Sequence, residues 1–190
     1  MISIRHSRAG IAALLLIIIM APSPAISAES NDDKGQTPWS IFYSLSFRGY
    51  TDKTIFDKAP VTDIAIGIEP FRWHTVIPAF SMHLYFPAFD ITASSVRFGA
   101  SADVLLLQPG ERASPFILGR DSVWAPRMRL TFGSRLSDLS DTFFMFTASP
   151  LGIFDGSGYY SIGAIDIAFC KGMEAASWGI GLCEFTYFIH

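Results

Sequence analysis

Trp39-Ser40-Ile41-Phe42-Tyr43-Ser44-Leu45-Ser46-Phe47-Arg48 decides the fold. Trp39, Ile41, Tyr43, Leu45 and Phe47 alternate with Ser40, Phe42, Ser44, Ser46 and Arg48. Successive side chains of a strand point to opposite sheet faces, so this period of two gives one bulky apolar face and one mostly small or polar face. A helix would scatter both sets around its circumference, so the stretch is predicted as a strand.

The same pattern returns downstream. Thr62, Ile64, Ile66 and Ile68 alternate with Asp63, Ala65, Gly67 and Glu69. Phe80, Met82, Leu84 and Phe86 alternate with Ala79, Ser81, His83 and Tyr85, and Met128, Leu130 and Phe132 with Arg127, Arg129 and Thr131. Similar runs cover Val96–Leu106 and Ala164–Phe169, whereas Phe143–Thr147 is too uniformly apolar for its faces to be separated. Turn signals lie between the runs, at Thr51–Pro60, Glu69-Pro70, Gln108-Pro109-Gly110, Asp138–Asp141, Asp155–Gly158 and Lys171-Gly172. Together they predict eight strands, over residues 39–50, 61–69, 75–86, 94–106, 124–134, 142–149, 158–170 and 177–189. Most exceed the 5–6 residues usual in globular sheets and match the roughly 9–11 residues of a tilted membrane strand. The fold class is therefore all-β, an antiparallel barrel over residues 39–190 with about eight strands, or ten if Leu107–Val123 carries a further pair. The last strand changes phase: Trp178, Ile180 and Leu182 share one face and Phe185, Tyr187 and Ile189 the other, which predicts a bulge near Cys183.

The N-terminus has a different grammar. Arg5, His6 and Arg8 precede the apolar run Ile11–Met20, then Ala21-Pro22-Ser23-Pro24 and the small residues Ala25–Ala28. That order reads as a cleaved signal peptide over residues 1–28, too short in its apolar core to span a bilayer, with residues 29–38 as a polar leader. Removing Arg5 and Arg8 moves the formal charge of the 190-residue chain from −3 to −5. An acidic balance excludes nucleic acid as a partner. The chain is 14% aromatic and 16% charged, which excludes disorder, and past residue 28 it holds no apolar run long enough for a transmembrane helix.

Alternation alone fits a soluble barrel with its apolar face inside and a membrane barrel with that face on lipid; side-chain size separates them. The polar face carries Ser, Gly, Ala and Thr with Arg48, Asp63, Glu69, Arg97, Asp103, Arg127, Arg129 and Asp166, while all four lysines lie outside the strand centres. Long lysines suit a water-facing sheet, whereas small residues mixed with Arg and Asp suit a narrow lumen whose charges pair. Trp39, Tyr50, Trp73, Phe86, Phe89, Trp124, Phe154, Tyr159 and Trp178 fall near strand ends, where rings favour the headgroup level.

These features resemble the small eight-stranded outer-membrane barrels of the OmpX/OmpW type. The resemblance covers roughly residues 39–190 and is architectural. It implies a monomeric integral protein of the cell outer membrane, porin-like in build, with lipid as partner and either a structural role or the passage or binding of a small apolar solute. Against that pattern stand the final His190 and the 17-residue stretch Leu107–Val123, where such barrels have a short periplasmic turn.

Residues that might carry chemistry are few. The eight charges above are expected to form a salt-bridged plug in the lumen. His6, His74, His83 and His190 share no metal-ligand spacing, and no phosphate-cradling motif is present, so no metal, cofactor or catalysis is expected. Ser81 and His83 share a strand face, which keeps open a lipid-modifying enzyme, and a lipocalin-like soluble barrel holding a lipid is the third reading. Cys170 and Cys183 flank the last hairpin and are a candidate disulfide in an exported protein.

Overall fold

The computed structural model describes residues 39–50, 60–71, 75–87, 95–112, 122–172 and 176–189. Eight long strands, β1 (Ser40–Tyr50), β2 (Val61–Glu69), β3 (Val76–Pro87), β4 (Arg97–Leu106), β7 (Arg127–Arg135), β8 (Asp138–Ser149), β10 (Gly158–Cys170) and β11 (Ser177–Ile189), form the wall. Each pairs antiparallel with its neighbours in the order β1-β2-β3-β4-β7-β8-β10-β11, and β11 returns to β1 with Ile41 opposite Ile189. The sheet is thus a closed eight-stranded barrel without a free edge along its wall. Chain entry and exit lie together at one end, here the terminal end; β1 and β2, β3 and β4, β7 and β8, and β10 and β11 are joined at the other, the loop end.

Three short strands, β5 (Gln108–Arg112), β6 (Val123–Trp124) and β9 (Gly152–Phe154), extend the sheet at the terminal end. β6 pairs with β5 and β9, and β9 with β10. The long stretch Leu107–Val123 therefore contributes strand at both its ends and prolongs the β4–β7 hairpin. The sequence signal for this was Trp124, whereas Gln108-Pro109-Gly110 reads as turn and hid β5. β8 starts at Asp138, four residues earlier than expected, because the β7–β8 reversal needs only Leu136 and Ser137. Ser140 donates its amide to the exposed Asp138 carboxylate, and its hydrogen bonds hold that carboxyl below its usual range.

The apolar face points outward. Ile66 is 62% exposed and Phe132 60%, while Arg97 and Asp103 are 2% and 1% exposed. Where alternation breaks, the backbone carries the extra residue. Phe47 pairs with Cys183 but Arg48 with Gly181, so Leu182 is the bulged residue between β1 and β11. β10 changes phase at the same level, at Gly163, whose φ of 76° is a left-handed conformation that a side chain would strain. Both halves of β11 thereby turn apolar side chains outward: Trp178 and Ile180 above the bulge, Leu182 at it, Phe185 and Ile189 below it.

Lumen aromatics sit on glycines of the next strand. Phe42 pairs with Gly67, Tyr50 with Gly179 and Phe143 with Gly133. A Cβ at any of these glycines would meet the facing ring, so the glycine is the space into which the aromatic folds. Gly133→Val is therefore expected to destabilise the barrel by about 1–3 kcal/mol, since the added side chain meets the Phe98 carbonyl and the Phe143 ring. The urea midpoint of the folded barrel in detergent checks this; an unchanged midpoint contradicts the packing.

Candidate functional site

The lumen is built in three layers. At the terminal end Phe42, Ile77, Leu105, Ala125, Phe154, Tyr159 and Phe188 pack together as an apolar cluster. At the loop end Tyr50, Val61, Tyr85, Phe143, Met145 and Ala168 form a second. Between them lies a ring of buried charges to which each of the eight wall strands contributes a side chain. The alternation that aims apolar side chains at the outside sends the intervening small and ionic residues inward, and their place along each strand sets the layer.

The ring can be followed from strand to strand. Asp166 of β10 accepts from Arg48 Nη1 of β1 at 2.5 Å, from Thr147 Oγ1 of β8 at 2.6 Å and from the Tyr50 hydroxyl at 3.1 Å. Arg48 Nε donates to Ser46 Oγ at 3.1 Å, and Ser46 donates to Asp63 of β2 at 3.1 Å. Asp63 Oδ1 lies 2.8 Å from His83 Nδ1 of β3. His83 Nε2 is 2.9 Å from both Ser81 Oγ and Ser101 Oγ of β4, and Ser101 donates to Asp103 at 3.1 Å. Asp103 is gripped by Arg127 and by Arg129 Nε of β7, the latter at 2.9 Å. Both arginines also reach Glu184 Oε1 of β11, at 2.6 and 2.7 Å. Ser44 of β1 donates to the same Glu184 oxygen at 3.1 Å, and Arg48 Nη2 lies 3.8 Å from its other oxygen, which closes the circuit.

Of the eight charges marked in the sequence, the structure brings six into this ring: Arg48, Asp63, Asp103, Arg127, Arg129 and Asp166. The other two are buried elsewhere. Arg97 lies toward the loop end, where it shares Asp141 with Arg135 at 3.0 and 2.7 Å. Glu69 sits toward the terminal end and accepts from Ser40 at 3.0 Å. Glu184 and His83 join the ring without having been counted in it. The signal for Glu184 was its place between the outward Phe185 and the bulge, but its side of the wall depends on where the extra residue falls. The candidate disulfide is corrected: Cys170 and Cys183 are not bonded to each other. Cys183 pairs across to Ile162, well down the wall, while Cys170 lies opposite Phe143 near the loop end, so register keeps them apart.

Asp63, His83 and Ser81 have the spacing of a hydrolytic triad, but all three side chains are buried in the ring, between the two apolar clusters. Among the described residues no group of three or more His, Cys, Asp or Glu side chains could hold a metal ion. The signal peptide, the leader, His74 and His190 lie outside the described residues.

With the geometry in hand, the chain can be set beside known proteins. No family model and no curated protein matches the sequence. Among solved structures it is similar to the crystal structure of Neisserial surface protein A (NspA), with a TM-score of 0.50 at 8% identity, covering 81% of this chain and 99% of that one. The fold is that of a small outer-membrane-type barrel. At 8% identity the likeness concerns the path of the backbone, and the ring of charges is a feature of this chain's own side chains.

Removing one partner from a buried charge network strands the others in a poorly polarisable surrounding. Glu184→Gln is expected to cost about 3–5 kcal/mol, because Arg127 and Arg129 both lose a carboxylate held at 2.6 and 2.7 Å. Arg135→Gln, at the partly exposed Asp141 pair, is expected to cost under about 1 kcal/mol. Unfolding midpoints of the two variants in detergent check the contrast; equal effects contradict a ring held by buried charge.

Proposed function

We propose that this protein is an integral outer-membrane barrel, monomeric and without catalysis, whose filled lumen makes it a structural wall element rather than a conduit. The observation that carries the reading is the inversion of the barrel. Ile64, Ile66, Phe80, Met82, Leu130, Phe132, Ile180 and Leu182 stand exposed on the outside, while four arginines and five acids are enclosed. Water would penalise that arrangement twice, by wetting a continuous apolar wall and by stripping solvent from the charges. Hydrocarbon outside reverses the first penalty, and mutual pairing offsets the second. The likeness to a solved outer-membrane barrel and the signal-like N-terminus support the same placement. Neither a lipocalin-like reading nor an enzyme buried in the lumen is favoured. A bound lipid would need the apolar face inside, and a lipid ester would have to pass an apolar cluster to reach Ser81.

Lipid is the partner this wall fits. Any small apolar solute is proposed to meet the outer wall rather than the lumen. A shallow apolar groove of about 490 Å³ runs there between Ile41, Ile66, Ile68, Phe80, Met82 and Ala100.

Cell envelopes carrying the protein are expected to retain it through an alkaline wash and release it to detergent as a heat-modifiable band. Release without detergent contradicts membrane integration. Purified barrel in a planar bilayer is expected to give no stable stepwise conductance, because the charged ring lies between two apolar clusters. Large, long-lived current steps would overturn the closed lumen.

A further inference from the structure

We infer that His83 sits in the folded barrel as an imidazolium, the fourth cation of the ring, held there by a hydrogen-bond relay from Asp63 to Asp103. Each short contact around the imidazole needs a proton, and a neutral ring supplies too few. Asp63, as a carboxylate, only accepts, so the 2.8 Å contact to His83 Nδ1 requires a proton on Nδ1. On the other side of the ring three close contacts form a triangle: Nε2 to Ser81 Oγ and to Ser101 Oγ, 2.9 Å each, and Ser81 Oγ to Ser101 Oγ, 2.7 Å. The single hydroxyl proton of Ser101 is taken by Asp103, 3.1 Å away. A neutral imidazole would leave only the Ser81 proton for the whole triangle, and two of its three edges would be lone pair against lone pair. With a second proton on Nε2 every edge is served. Nε2–H donates to both serine oxygens, Ser81 donates to Ser101, and Ser101 donates to Asp103.

The charges of the ring agree. Arg48, Arg127 and Arg129 face Asp63, Asp103, Asp166 and Glu184, so the enclosed set is one positive charge short without His83. The charged groups that act on His83 are Asp63 from β2, Asp103 from β4 behind Ser101 and Glu184 from β11, while Arg48 of β1 and Arg129 of β7 reach the same Asp63 at 3.5 and 3.7 Å. Tyr85, on its own strand, stacks on the imidazole at 5.5 Å between ring centroids. A doubly protonated His83 cannot take the Ser81 proton, so these residues have the spacing of a triad without its general base. The barrel instead carries a brace, in which the imidazolium links Asp63 of β2 to Ser101 and Asp103 of β4.

A measurement on the full barrel in detergent micelles tests this. With ¹⁵N-labelled histidine, two directly bonded ¹⁵N–¹H signals that vanish in His83→Gln are expected for His83 at neutral pH; a single protonated nitrogen overturns the inference.

Discussion

An eight-stranded closed sheet leaves inside it a column only wide enough for its own side chains, and every inward residue must share that column. In this protein the column holds charge, so the governing constraint is that each buried ion needs an opposite partner on another strand. Arg48 joins β1 to β10, Arg127 and Arg129 join β7 to β4 and β11, and Asp63 joins β2 to β3 and β1. The wall is thus tied twice, by backbone ladders around its circumference and by ions across its interior. A change in register that moved one of these residues outward would strand at least one partner, so the ring also selects the pairing of the strands.

The apolar clusters at either end give the ring its character. Ion pairs open to water are worth little because water competes for them; the same pairs between Phe42, Leu105 and Phe188 on one side and Val61, Tyr85 and Phe143 on the other are screened far less. Arg127 adds a face contact to the Tyr159 ring, 5.2 Å from its centroid, where the ring meets the terminal-end cluster. Glycines make these clusters possible, since Gly67, Gly133 and Gly179 yield the volume that Phe42, Phe143 and Tyr50 fill.

How much of this could be read before the structure depends on the residue. Ile64-Ala65-Ile66-Gly67-Ile68 shows its two faces directly, and size and charge then decide which one turns inward, because a period of two has a single structural meaning. Phe143-Phe144-Met145-Phe146 shows nothing of the kind; only its pairing with Gly133 and Cys170 assigns Phe143 to the lumen. Glu184 lies just past the Leu182 bulge, and one inserted residue reverses the face of everything beyond it. The cysteines were misjudged for a related reason: separation along the chain does not give height on the wall.

Composition and alternation by themselves determined an all-β barrel with its apolar face outward and ionic side chains within, because strand geometry turns a two-residue period into two faces and the size of the inward residues admits only a narrow interior. What only the tertiary structure decided is which ions meet. Arg48 and Asp166 are 118 residues apart in the chain and 2.5 Å apart in space, since closure brings β1 and β10 to either side of β11 and leaves their inward side chains to share one cross-section. Such a meeting depends on strand tilt, stagger and the placement of bulged residues such as Leu182, and no local pattern records those quantities.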